Sequence, residues 1–241
     1  MSTLTIYANF WPRTEHMQSL EDQYADLWTF AKSLQSIGIP LDEWFPPADT
    51  QANSLLNNSF NEMGVTTQAL AMAKADKENH SDIRNLGAWN GKDEVGGMAL
   101  TTKVSGGPFP CNFDFSANEI EPLKSYDHVL KAVQTVLDTW SPPLVLVGPP
   151  GYDEKKVFKD RPAVSWMIYL PFKIETSNVP EAAQLIPILG KDKKRRGTLV
   201  VSTTETFDAE NKDHVKRAND IEIRLADQDL LPRFMDFMKL R

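Results

Sequence analysis

Seven apolar residues, Tyr126, Val129, Leu130, Val133, Val136, Leu137 and Trp140, recur at the i, i+3, i+4, i+7 spacing of one helical stripe. A helix of about four turns with a single apolar stripe is marginal alone in water and must lay that stripe on another apolar face. The rest of the chain supplies such a face as strands. Leu4, Ile6 and Ala8 alternate with Thr5, Tyr7 and Asn9. Ile83, Leu86, Ala88 and Trp89 lead into Asn90-Gly91, and Met98, Leu100, Thr102 and Val104 follow with period two. That pattern predicts a hairpin over 81–107, with a connection longer than the two-residue Asn-Gly turn. Val164–Leu170 and Thr198–Thr204 are rich in β-branched and aromatic residues and predict two more strands. Shorter strands are expected at Leu144–Val147 and Asn112–Phe115.

Further helices follow from the same periodicity. Ser19 opens one carrying Leu20, Tyr24, Leu27, Trp28, Ala31 and Leu34, stopped by Gly38 and Pro40. A second is expected over Val65–Asn79, with a short turn or helix in the stretch Asn53–Phe60 before it. Another runs from Asn211 to Ala226, where Val215, Ala218, Glu222 and Leu225 outweigh the strand-like alternation of Ile221–Leu225. A short helix near Phe234 ends the chain. The segment between the last two strands, with Pro180, Pro187 and the basic run Lys191–Arg196, reads as a linker. The expected class is α+β: a mixed, largely antiparallel sheet packed with several amphipathic helices. One domain over residues 1–241 is the simplest organisation, with two lobes at about 1–120 and 121–241.

Charge is the next constraint. The net charge is −7, opposite in sign to a protein that grips phosphates, so no direct nucleic-acid binding is expected. Residues 1–80 hold ten acids and four bases, the remainder 23 acids and 22 bases, so nearly all the excess sits in the first third. Such a field steers a basic partner if the acids cluster in space; otherwise it is a solvated face. No apolar run reaches the ~18 residues of a membrane span. The start, Met1-Ser-Thr-Leu-Thr-Ile-Tyr, lacks the pattern of a signal peptide, and the single Cys111 makes no internal disulfide. A cytoplasmic location is expected.

The residues form no complete catalytic pattern. Gly148-Pro-Pro-Gly151 resembles the opening of a phosphate loop, but no Gly-Lys-Ser/Thr follows and its prolines lack the N–H groups a phosphate needs. His16, His80, His128 and His214 are isolated, without the close pairs of a zinc site. Cys111 reads as a structural thiol. Asp153-Glu-Lys-Lys156 contains the Glu-x-Lys of metal-dependent nucleases, yet it follows a Pro/Gly breaker and has no strand aspartate before it. Asp208–Asp213 lacks the Gly and Glu of a calcium loop and reads as a helix start. The basic run Lys191–Arg196 lacks interleaved aromatics and reads as a solvated loop. No cofactor, metal or catalytic residue is therefore expected, and binding to another protein is the favoured role.

The candidate contacts are Asp42, Glu43, Trp44, Phe45 and Asp49, an acidic and aromatic stretch framed by Pro40, Pro46 and Pro47. Prolines stiffen the loop, which lowers the ordering cost of binding, and Trp and Phe are common interface anchors. The competing reading puts Trp44 in the protein's own core.

Several segments also carry a resemblance. Trp89-Asn-Gly91, the Met98–Val104 strand, Val157-Phe-Lys-Asp-Arg-Pro162, Trp166-Met-Ile-Tyr-Leu-Pro171, Val200-Val-Ser202 and Phe207–Asn219 resemble the immunity protein 52 family of bacterial polymorphic toxin systems. The resemblance is best from Ser81 to Pro232 and weakest in the first 60 residues. It implies an α+β immunity protein that binds a cognate toxin in the cytoplasm of the producing cell and neutralises it. It implies a toxin encoded beside it, often a nuclease of the restriction-endonuclease type delivered by a type VI secretion system. A carboxylate-dependent hydrolase and an adaptor or chaperone of a secretion system are the alternatives the residues leave open.

Overall fold

The computed structural model describes residues 3–12, 16–76, 82–106, 109–190 and 192–237. The first strand, β1 (Thr3–Phe10), buries every second residue, Leu4, Ile6, Ala8 and Phe10, as its alternation predicts. The chain then divides into two compact units, one of Asn9–Pro142 and one of Ser2–Ala8 with Pro143–Arg241.

In the first unit, helix α1 (Leu20–Leu34) starts where Ser19 Oγ accepts the Asp22 N–H at 3.0 Å. Gly38, at φ +89°, ends the 3-10 turn that follows, a conformation glycine adopts without a Cβ penalty. Next come α2 (Gln51–Ser54), a small hairpin of β2 (Phe60–Asn61) and β3 (Gly64–Val65), and α3 (Thr67–Ala75). The helix expected from Val65 starts later because Val65 pairs with Phe60, and it is capped by Thr66 Oγ1 on the Ala69 N–H. Its expected end at Asn79 lies outside the described residues, as do His80 and Lys191.

Strands β4 (Ile83–Trp89), β5 (Met98–Ser105) and β6 (Cys111–Asn118) follow and pair antiparallel in that order. The hairpin connection is longer than two residues, as expected: Asn90 closes it, accepting the Met98 N–H on Oδ1 and donating Nδ2 to Gly96 O. Strand β6 runs three residues beyond the expected Phe115. Helix α4 (Tyr126–Trp140) lays its stripe inward and ends at Ser141, with Pro142 and Pro143 forbidding continuation. The core of this unit is aromatic. Phe30 of α1 lies 4.8 Å from Phe113 and 5.1 Å from Phe115, and Phe113 stacks on Trp140 at 4.2 Å.

The second unit holds β7 (Leu144–Gly148), β8 (Met167–Leu170), β9 (Gln184–Leu189), β10 (Arg195–Val201), α5 (Lys212–Asp227) and α6 (Phe234–Phe237). The strands are ordered β4-β5-β6 in the first unit and β1-β7-β8-β10-β9 in the second. The class is α+β with a largely antiparallel sheet, as the sequence predicts. Two expectations change. The segment read as a linker contains strand β9, which pairs with β10 alone at the edge of the sheet, where Pro187 is tolerated. Strand β10 accordingly begins at Arg195, so the basic run ends inside a strand rather than in a loop. The strand expected from Val164 starts only at Met167, because Ser165 sits at φ +47°.

Trp140 joins the helix stripe to the aromatic core and is 4% exposed. Trp140→Ala is expected to destabilise the protein by about 3–5 kcal/mol, read from the urea midpoint at unchanged m-value.

Candidate partner-binding site

The proline-framed loop begins with a 3-10 turn, Leu41–Glu43, which buries Leu41 and leaves Asp42 and Glu43 in solvent. The chain then meets β4 edge-on. Phe45 N–H donates to Trp89 O at 2.7 Å, and Trp89 N–H donates to Phe45 O at 3.0 Å, an antiparallel bridge one residue long. Around it, Ser59 N–H donates to Trp44 O at 2.6 Å and Asn58 Nδ2 donates to Asp42 O. Ser54 Oγ donates to Pro46 O at 2.6 Å and accepts from Trp89 Nε1 at 2.7 Å. Gln51 Nε2 reaches Gly91 O at 2.8 Å. These bonds hold the loop by its backbone, so the side chains between them are presented in fixed directions.

Trp44 is the correction here. It is 0% exposed, so it cannot be a surface anchor in this fold. Its neighbour Phe45 is half-buried, and Asp42, Glu43 and Asp49 are exposed. A Cβ on Gly91 would stand 2.6 Å from Leu55 Cδ2 and 3.7 Å from Phe45 Cδ2, so these two apolar side chains flank the same glycine. Leu55 is 42% and Leu56 74% exposed. The sequence reading missed this leucine pair, whose only signal is two adjacent apolar residues in a segment without periodicity. Beside the loop lies a cleft of about 840 Å³, lined by Tyr24, by Pro46 to Asp49, by Met72, Ala73, Ala75 and Asp76 in and after α3, and by Asn85 to Gly87 of β4.

The second unit contains a buried carboxylate that the sequence placed on a helix stripe without asking why. Glu222 of α5 is 1% exposed. Its Oε2 accepts the Val157 N–H at 2.8 Å, and its Oε1 lies 3.0 Å from Val164 N and 2.9 Å from Tyr152 Oη. Burial pushes its pKa above the ordinary Glu value, against the lowering effect of those donors. Tyr152 Oη also lies 2.7 Å from Asn219 Oδ1. One hydroxyl proton cannot serve two acceptors, so either Asn219 turns its amide around or Glu222 carries a proton and donates it to Tyr152. Either way the carboxyl group is engaged on all sides and ties the 152–164 segment to α5. The Asp153-Glu-Lys-Lys156 segment is similarly occupied: Lys156 Nζ lies 2.8 Å from Asp153 Oδ1, and Lys155 Nζ lies 2.5 Å from Glu210 Oε1 and 2.6 Å from Ala209 O. Among the described residues, no group of three or more His, Cys, Asp or Glu could hold a metal ion, and no helix is long and apolar enough to cross a membrane.

Residues 117–233 match the Immunity protein 52 family. The matched span takes in α4, β7 to β10, α5 and the whole Glu222 network. The Immunity protein 52 match starts after Trp89–Gly91 and Met98–Val104, so those two segments and the acidic loop lie outside it. No curated protein sequence matches the chain. Among solved structures, the chain is similar to a Pseudomonas aeruginosa T6SS protein at 10% identity and a TM-score of 0.54, over 92% of this chain and 76% of that one. At that identity the likeness speaks to the fold alone.

Two outcomes follow. Trp44→Ala is expected to cost about 3–5 kcal/mol of stability in urea unfolding, as a core truncation does. Because Glu222 is raised in the folded state, its contribution is complete at pH values below its unfolded pKa and is lost as pH rises through the folded value. Wild-type stability minus that of Glu222→Gln, measured from about pH 4 to 8, should therefore fall with rising pH.

Proposed function

We propose that this chain is an immunity protein that binds a cognate toxin and neutralises it in the cytoplasm of the bacterium that makes both. The observation that carries this reading is the Immunity protein 52 match over residues 117–233. Similarity of fold to a T6SS protein supports a secretion context for the pair. The partner is a nuclease of the restriction-endonuclease fold encoded next to this chain. A nuclease carries positive charge where it holds phosphates, and residues 1–80 carry a net −6. The exposed acids Asp42, Glu43 and Asp49 form the charged part of the contact, and Phe45, with Leu55 and Leu56 beside it, the apolar part.

The direct test is co-expression with the product of the adjacent reading frame, followed by co-purification and a nuclease assay. A stable complex with nuclease activity suppressed is expected; a toxin that neither binds nor loses activity overturns the reading. If the acidic loop steers association, neutralising Asp42, Glu43 and Asp49 together to Asn, Gln and Asn should lower the association rate about ten-fold at low salt and flatten its salt dependence. Stopped-flow measurement at two ionic strengths checks this.

A further inference from the structure

Strand β4 ends the three-stranded run of the first unit, and its outer edge is only partly covered. The Phe45–Trp89 bridge shows which backbone groups face outward, because it uses both the N–H and the C=O of Trp89. On the inner side, Asn90 N–H donates to Met98 O, and Gly106 N–H donates to Asp82 O, so the even-numbered residues bond toward β5. The β4–β5 register runs without a bulge between these points. Antiparallel alternation then turns the N–H and C=O of Gly87 and Asn85 away from β5, in line with those of Trp89. Among the described residues, neither Gly87 nor Asn85 has a hydrogen-bond partner on that side. Both residues line the 840 Å³ cleft. The cleft is thus a slot whose inner wall is the unpaired edge of a β-strand and whose rim includes the exposed carboxylate of Asp49.

We propose that this slot is a strand-addition site, in which an extended, lysine- or arginine-bearing segment of the toxin pairs with Asn85 and Gly87 and continues the strand that Phe45 begins. The proposal rests on the immunity reading given above and names how the partner is held. An open edge is a template for an added strand, with main-chain bonds supplying affinity and side-chain contacts supplying selectivity. Charge selects the segment: Asp49 lies on the rim, in the acidic third of the chain. A second copy of this chain is a poor occupant. Its own β4 edge sits behind the same walls, Pro46 to Asp49 on one side and Met72, Ala73, Ala75 and Asp76 on the other, and two walled slots cannot meet edge to edge.

The test is amide hydrogen exchange on the full chain, free and in complex with an inactive form of the protein from the adjacent reading frame. Exchange at Asn85 and Gly87 is expected to slow by about ten-fold or more in the complex. Asn85→Pro removes an outward N–H that the β4–β5 ladder does not use, and should weaken the complex about ten-fold. Asn85→Ala keeps that N–H and should bind about ten-fold more tightly than the proline variant. If Asn85→Pro does not fold, the exchange data on the wild type decide alone. A complex that leaves both amides unprotected overturns the proposal while sparing the functional reading. Protection already present in the free protein, with a dimer in sedimentation, also overturns it by giving the edge to a second copy. Absence of any complex overturns both readings together.

Discussion

Two hydrogen bonds between Phe45 and Trp89 set the arrangement of the acidic part of the molecule. By pinning the loop to the end of β4, they hold Trp44 inward and Phe45 at the surface, and they leave Asp42, Glu43 and Asp49 in water. The same bridge covers only the last residue of β4, and among the described residues it leaves the outward backbone groups of Asn85 and Gly87 open to the cleft. Adjacent residues on a strand point to opposite faces. Once Phe45 is paired, Trp44 and Phe45 cannot share a side, which is why an aromatic pair that looks like one anchor in sequence is divided between core and surface.

The two units handle their carboxylates differently. In the first, the acids of the loop stay exposed and carry a field that acts at a distance, sensitive to salt. In the second, Glu222 is taken out of water and is tolerated because two backbone N–H groups and a tyrosine hydroxyl meet it. A charge in that position would be costly alone, and its raised pKa records the cost. The exposed acids suit encounter with a basic protein, whereas Glu222 suits the fixing of a long irregular segment onto a helix.

The fold was legible from the sequence wherever periodicity ran for several turns or pleats. Helices α1, α4 and α5, the β4–β5 hairpin and the strands β1 and β7 lie close to where their spacing puts them, because each must bury one face. Strand β9 was hidden by Pro187, since the rule against proline in sheets relaxes at an edge and the sequence does not say which strand is the edge. The start of β8 was hidden by Ser165, whose backbone is left-handed and whose Oγ packs so close to Gly148 that a Cβ there would stand 2.0 Å away. Of the candidate contacts, the acids needed no structure to be seen as solvent-facing, but the fate of Trp44 depended on the pairing of its neighbour Phe45 with the distant Trp89.

By itself the sequence determined the class of fold, the start of α1 at Ser19 and the acidic first third, because each rests on local spacing, local chemistry or summed charge; the likeness to an immunity family is a resemblance of whole segments. Tertiary structure alone decided which aromatic is core, which strand is an edge, where the cleft opens and why a glutamate sits on an apolar stripe. Each of these depends on which backbone N–H and C=O groups find partners far along the chain, and a hydrogen bond between distant residues leaves no periodic trace in the amino-acid order.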